Sequence, residues 1–323
     1  MTADTLIKVE HVTRYYGTLR AVHDVSFDIR RGEVLGFLGP NGAGKSTTMQ
    51  MISGNLAPSE GRITVNGHDL MEQPKLAKAA LGYLPEQPPL YRELTADEYL
   101  RFCANLNRIA KADVSKAVDR AKERCGLGDV GRRLIGNLSK GYQQRVGIAQ
   151  AIIHMPAVVI LDEPTVGLDP IQIREIRTLI RELGNDHSVI LSTHILPEVQ
   201  ATCDRVQIIH RGEMVLSDTI EGLQRQMQAS SLLVALRQPP STDAIQAIEG
   251  VLSVETVDAN HLRVHHAPEQ SPAEAIATHA VQNAWGLFEL VPERMSLEEI
   301  FVNITRTDPV ENGATQTQQE AAA

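Results

Sequence analysis

Eight residues, Gly39-Pro40-Asn41-Gly42-Ala43-Gly44-Lys45-Ser46, constrain this chain more than any other segment. They lie between an apolar, strand-like run at 34–38 and a helical pattern that begins near Lys45. A glycine-rich turn leading into a helix N-terminus wraps backbone N–H groups around anionic oxygens, where the helix end already favours negative charge. The spacing fits the P-loop pattern and assigns its parts. Gly39, Asn41, Gly42, Ala43 and Gly44 form the cradle. Lys45 reaches the β- and γ-phosphates, the Ser46 hydroxyl ligates Mg²⁺, and Thr47 adds an α-phosphate contact. Alone, the motif leaves open GTPases, kinases and many ATPases.

The chain's 323 residues suit two domains, or one large domain with an appendage. A net charge of -9 argues against a nucleic-acid partner, because phosphate backbones need clustered Lys and Arg. No stretch approaches the run of about 18 apolar residues that spans a bilayer. Residues 1–8 lack a basic region followed by an apolar core, so no secretory signal is expected. Cys103, Cys125 and Cys203 make no metal spacing and no disulfide framework, and are expected to be reduced thiols. Any membrane role is expected to come from a separate chain.

Short β-branched runs alternate with helical patterns, which predicts an α/β fold. Antiparallel strands are expected over 6–12 and 21–29, a buried strand over 34–38, and a hairpin at 61–65 closed by Asn66-Gly67. Helical pattern runs from Thr95 to about Gly126, opened by a Thr95…Glu98 capping box, and a second helix is expected from near Ser139 to before Pro156. Further strands are predicted over 158–161, 188–192 and 205–210. Near Gly222 the pattern changes to β-α-β-β-α-β, expected as a small α+β ferredoxin-like domain over 222–307 with a closing helix at 297–304. Residues 308–323 are polar and are expected to be a disordered tail.

The apolar run Val158-Val159-Ile160-Leu161 ends in Asp162 and Glu163. A carboxylate there can hold Mg²⁺ or its water shell, a task for Asp162. Glu163 is then placed to orient or deprotonate an attacking water. A pair of solvated acids at a strand end is the alternative for either residue alone. Similarly, Leu138-Ser139-Lys140-Gly141 read alone is an N-cap that presents a hydroxyl and free N–H groups.

Taken in order, the run Asn137-Leu138-Ser139-Lys140-Gly141-Tyr142-Gln143-Gln144-Arg145 resembles the signature of the ABC ATPase family. That resemblance implies that Ser139 and Gly141 contact the γ-phosphate of ATP held by an opposite subunit. Gly167-Leu168-Asp169 resembles the D-loop, with Asp169 at the dimer interface. Ser192-Thr193-His194 matches the switch histidine that touches the γ-phosphate. Tyr16, before Gly17, matches the aromatic that stacks on adenine, with Tyr15 as the alternative. At the Q-loop, Glu86 stands where the family has Gln, with Gln87 beside it; both are candidates for Mg²⁺ or its water. These variants look most like ATPases of multidrug, polymer and gliding-motility exporters.

The resemblance covers about two-thirds of the chain. It implies an ABC ATPase core over 1–221, with an antiparallel β subdomain and a helical subdomain over about 88–155. It further implies ATP and Mg²⁺ as cofactors, a homodimer closing on two ATP molecules, and a separate transmembrane permease docked on the 88–137 insert. The expected location is the cytoplasmic face of the cell membrane, reached through that permease. The rival reading is a soluble ABC ATPase acting on ribosomes or DNA. One P-loop and the lack of sustained heptads weigh against it. In the last domain, His261 and His265 share a strand face beside His266, which a solvated polar face explains without a metal.

Overall fold

A computed structural model describes residues 5–226, 231–267 and 270–293. The chain forms two compact units, Met1–Arg225 and Gln226–Ala323. The expected closing helix at 297–304 and tail at 308–323 lie outside the described residues.

The first unit contains strands β1 (Thr5–Tyr16), β2 (Leu19–Arg30), β3 (Val34–Leu38), β4 (Glu60–Val65) and β5 (His68–Asp69). It continues with β6 (Leu81–Leu84), β7 (Val158–Asp162), β8 (Ser188–Thr193), β9 (Arg205–His210) and β10 (Glu213–Thr219). One sheet is antiparallel, in the order β2-β1-β4-β5. Its alternating apolar residues (Ile7, Val9, Val25, Ile29, Ile63, Val65) are buried in the same core as Met49 and Ile52 of helix Lys45–Ile52.

The other sheet runs β10-β9-β3-β8-β7-β6, parallel except for the β9–β10 pair. Every residue of β3, β7 and β8 is buried, and their centres are apolar, as in a parallel sheet covered on both faces. Because β3, β6, β7 and β8 are parallel, their carboxyl ends emerge on one side. The register pairs Leu38 with Thr193 and Asp162 with Ser192. That edge is where open α/β sheets place their ligands.

The helical pattern at 95–126 divides into helices Ala96–Leu106 and Val114–Arg124. Arg108 takes a left-handed φ of 59°, and the Asn107 side chain donates to the Cys103 carbonyl, which closes the first helix. The Thr95–Glu98 capping box is present. Strand β6 was not legible in the sequence, because four residues around Gly82 carry no periodicity. Its glycine is required by packing: a Cβ there would strike the Ala151 carbonyl of helix Lys140–Ile152.

In the second unit, β11 (Ser231–Leu236), β12 (Val251–Thr256), β13 (His261–His266) and β14 (Leu287–Glu293) pair entirely antiparallel in the order β12-β13-β11-β14. Helices Thr242–Gln246 and Ala273–Gln282 complete the β-α-β-β-α-β order of a ferredoxin-like sheet. Leu232, Val234, Leu236, Leu262 and Val264 form its core with Ile245 and Ile276 of the two helices.

Candidate nucleotide site

The residues expected to cradle phosphate surround a cleft of about 370 Å³ at the carboxyl ends of the parallel strands. Asn41, Gly42, Gly44, Lys45, Ser46, Thr47, Glu86, Glu163 and His194 line it, together with Ala21 and Val166. Gly44 caps helix Lys45–Ile52 at φ 105°, a conformation open to glycine, and a Cβ there would sit 2.8 Å from the Ala21 carbonyl oxygen. Gly44 offers no side chain to cap the helix, so its first-turn N–H groups remain available to an anion.

Lys45 is buried, and its ammonium donates to the carbonyls of Gly39 (2.9 Å) and Pro40 (3.2 Å). It also lies 3.2 Å from Glu163 Oε1. Ala43 is buried inside the loop, its N–H donating to the Pro40 carbonyl. Glu163 is 6% exposed and holds a left-handed φ of 49°, unusual for a residue with a side chain. His194 Nδ1 lies 2.9 and 3.0 Å from its two oxygens. An ionised carboxylate only accepts, so Nδ1 carries the proton, leaving Nε2 as the ring nitrogen available to a ligand.

Asp162 lies beneath this pair, 2% exposed, with Oδ1 buried and unpartnered. Burial pushes its carboxyl above the ordinary range, outweighing the downward pull of the Ser192 and Ser46 hydroxyls; the charges of Glu163 and Glu86 add to the rise. A buried, partnerless carboxylate oxygen beside a serine hydroxyl is a costly arrangement that a hard dication would relieve. The residues therefore fit Mg²⁺.

Other expected site residues lie elsewhere. Gln87 lines a second cleft with Glu86, Pro88, Lys140 and Gln144. Of the two, Glu86 also lines the first cleft and Gln87 does not. Ser139, Gly141 and Asp169 line a third cleft of about 320 Å³ with Tyr142 and Gln172. Ser139 caps helix Lys140–Ile152, accepting from the Tyr142 N–H, and Asp169 caps helix Pro170–Leu183. Tyr16 is 45% exposed, and the Arg14 guanidinium lies 5.1 Å from its ring centre; neither Tyr16 nor Tyr15 lines the cleft. Glu198 carries no signal in the sequence. It is a fully buried carboxylate hydrogen-bonded to Thr165 and Thr193, in a short helix with no motif to mark it.

A polyphosphate bound with a dication would answer every open demand of the first cleft at once: the uncapped helix, the inward lysine and the unpartnered carboxylate. That places the chain among the P-loop nucleoside triphosphatases. A family model described as ABC transporter matches residues 22–166. The bacitracin transport ATP-binding protein BcrA of Bacillus licheniformis is 32% identical over 306 residues, covering 93% of this chain and 97% of that protein. The linearmycin resistance ATP-binding protein LnrL of Bacillus subtilis is 33% identical over 313 residues, covering 93% and 98%. Among solved structures, an ATP-binding subunit of an ABC transporter superposes with a TM-score of 0.62 at 34% identity, covering 69% of this chain and 93% of that one.

The chain belongs to the ABC transporter ATP-binding proteins. It is the ATP-binding and ATP-hydrolysing subunit of such a transporter and uses ATP with Mg²⁺. No helix among the described residues is long and apolar enough to cross a membrane.

Proposed function

We propose that hydrolysis runs in two composite sites, each built from the P-loop cleft of one subunit and the Ser139–Gly141 cleft of the other, and that the work done is export. The convergence of Lys45 and His194 on the buried Glu163 carboxylate carries this reading. Glu163 takes the proton of the attacking water, because a carboxylate desolvated beside the reacting atom is a competent general base. Lys45 exchanges the Gly39 and Pro40 carbonyls for the β- and γ-phosphates, and His194 touches the γ-phosphate. Ser46 and Asp162 would hold Mg²⁺, with Glu86 reaching its water shell in preference to Gln87. The ion supplies charge neutralisation at the phosphate oxygens. Gly39, Asn41, Gly42, Ala43, Gly44 and Thr47 bind phosphate through the loop and the helix N-terminus.

From the partner subunit, the same chemistry is offered by Ser139 and Gly141, with Asp169 at the interface. In each chain those residues line a cleft separate from its own P-loop, the arrangement a site shared between two subunits calls for. Tyr16 is left to stack on adenine as an exposed ring at the end of β1. The names of BcrA and LnrL, a bacitracin transport and a linearmycin resistance protein, support export, which this reading places at the cytoplasmic face of the membrane. The domain limits 1–221 and 222–307 remain part of this reading.

Glu163→Gln tests it. The variant is expected to bind ATP, to lose turnover by about 10² to 10⁴, and to accumulate as an ATP-bound dimer by size-exclusion chromatography with light scattering. Unchanged hydrolysis removes Glu163 from the mechanism.

A further inference from the structure

Glu198 is buried completely, in the first turn of helix Leu196–Thr202. A carboxylate in that position is strongly disfavoured unless each oxygen is satisfied. Both are satisfied, by two different segments of chain. Thr165 Oγ1 donates to Oε1 at 2.6 Å, and Thr193 Oγ1 donates to Oε2 at 2.9 Å. Arg177, from helix Pro170–Leu183, places Nη2 3.7 Å from Oε1. The Thr193 hydroxyl in turn accepts from the Ile195 N–H at 3.0 Å, so it pins the backbone on both sides of His194.

The two threonines hold special places. Thr165 follows Glu163 by two residues, and Thr193 immediately precedes His194. Both are buried, so the hydroxyls have no water to turn to. Glu163 sits at a left-handed φ that a free chain would leave, and a fixed neighbour is needed to keep it there. A single carboxylate therefore ties the segment carrying the general base to the segment carrying the switch histidine. The β7–β8 ladder, in which the Glu163 N–H donates to the Ser192 carbonyl at 2.9 Å, sets the spacing of the two strands. The carboxylate holds the loops that leave them, where His194 Nδ1 lies 2.9 Å from Glu163.

We propose that Glu198 is a positioning residue of ATP hydrolysis, clamping Thr165 and Thr193 so that Glu163 and His194 keep their mutual geometry. The inference rests on the reading of Glu163 and His194 as the catalytic pair. It assigns Glu198 no contact with nucleotide: Glu198 is absent from the cleft lining, and the P-loop is held by other contacts. Positioning of this kind is worth about 10²-fold for a displacement near 1 Å.

The test uses the full-length chain and four variants: Glu198→Ala, Thr193→Val, His194→Ala and the Glu198→Ala/His194→Ala double. ATP turnover is measured beside equilibrium binding of a fluorescent ATP analogue. Glu198→Ala is expected to lower kcat about tenfold or more while the analogue's Kd stays within about twofold. In the His194→Ala background the same change is expected to lower kcat by a smaller factor than it does alone, because only Glu163 is then left to position. Thr193→Val keeps the carboxylate and removes one strap, so it reports even where Glu198→Ala fails to fold; it is expected to lower kcat several-fold. Full additivity in the double variant overturns the proposal, as does parallel loss of Kd and kcat, or wild-type turnover in Thr193→Val. Wild-type hydrolysis by His194→Ala would instead sink the catalytic reading on which the proposal stands.

Discussion

The cleft around Lys45 and the cleft around Ser139 use the same materials: a helix N-terminus, a glycine and a hydroxyl. They differ in what those materials are committed to. At the first, Gly44 leaves the helix uncapped, and Lys45, Asp162 and Glu163 are nearly removed from solvent. At the second, the Ser139 hydroxyl already accepts from the Tyr142 N–H, and Tyr142 and Ile171 are exposed. Charges act most strongly on a bond when water is excluded and they are fixed beforehand. The first cleft is built for that. The second, a cleft of similar size with exposed side chains around it, gains purpose in the proposed composite site when another molecule covers it.

The sharpest way to break this comparison is complementation. Lys45→Ala disables the first cleft and Gly141→Arg the second, and each homodimer is expected to lose turnover by about 100-fold. Mixed in equal amounts, the two chains form dimers in which one site joins an intact P-loop to an intact signature. Random pairing is expected to restore about a quarter of the wild-type rate. If ATPase assays of the mixture stay at the level of the separate variants, the two clefts do not meet across subunits.

A smaller effect sharpens the edge of the first cleft. Glu86 lines it and Gln87 does not. Glu86→Ala is expected to reduce Mg²⁺-dependent turnover about tenfold, the scale of one charge-assisted hydrogen bond, with Gln87→Ala near wild type. A magnesium titration of both variants decides between them; the reverse order would hand the role to Gln87.

The smallest effect concerns residues remote from both clefts, and it should touch stability alone. His154 Nε2–H donates to the Leu81 carbonyl, and His187 Nδ1–H to the Pro156 carbonyl. Burial, the main cause, pushes both imidazoles below their usual pKa. Below about 6.5 the unfolded chain takes up protons that the folded chain refuses, so stability is full above that pH and falls as pH drops through the window. The urea midpoint is therefore expected to decrease from pH 7.5 to 5.5, and less so in His187→Gln. Nucleotide binding by His187→Gln at pH 7.5 is expected to match wild type. A variant as pH-sensitive as wild type would clear His187 of this role.

Much of the site was legible because its chemistry is local. The P-loop is one turn between a strand and a helix, and Asp162-Glu163 ends an apolar run, so residue type and spacing were enough. The helical insert was legible in extent but not in its break at 107–113, where a left-handed Arg108 and the Asn107 cap decide against continuing. Strand β6 has no pattern of its own and exists as the edge partner of β7, through the register Leu81–Val158 to Leu84–Leu161.

Residue type and short spacing were enough to point to a nucleoside triphosphate with Mg²⁺ and to nominate Glu163 as the base, because those tasks fall to residues a few positions apart. Only tertiary structure decided which of Glu86 and Gln87 faces the nucleotide cleft. It also set Ser139, Gly141 and Asp169 in a cleft apart from Lys45, and made Glu198 a buried strap between Thr165 and Thr193. The physical reason is the same in each case: which side of a loop a side chain takes, and which distant hydroxyl it meets, depend on the packing of strands brought together from across the chain.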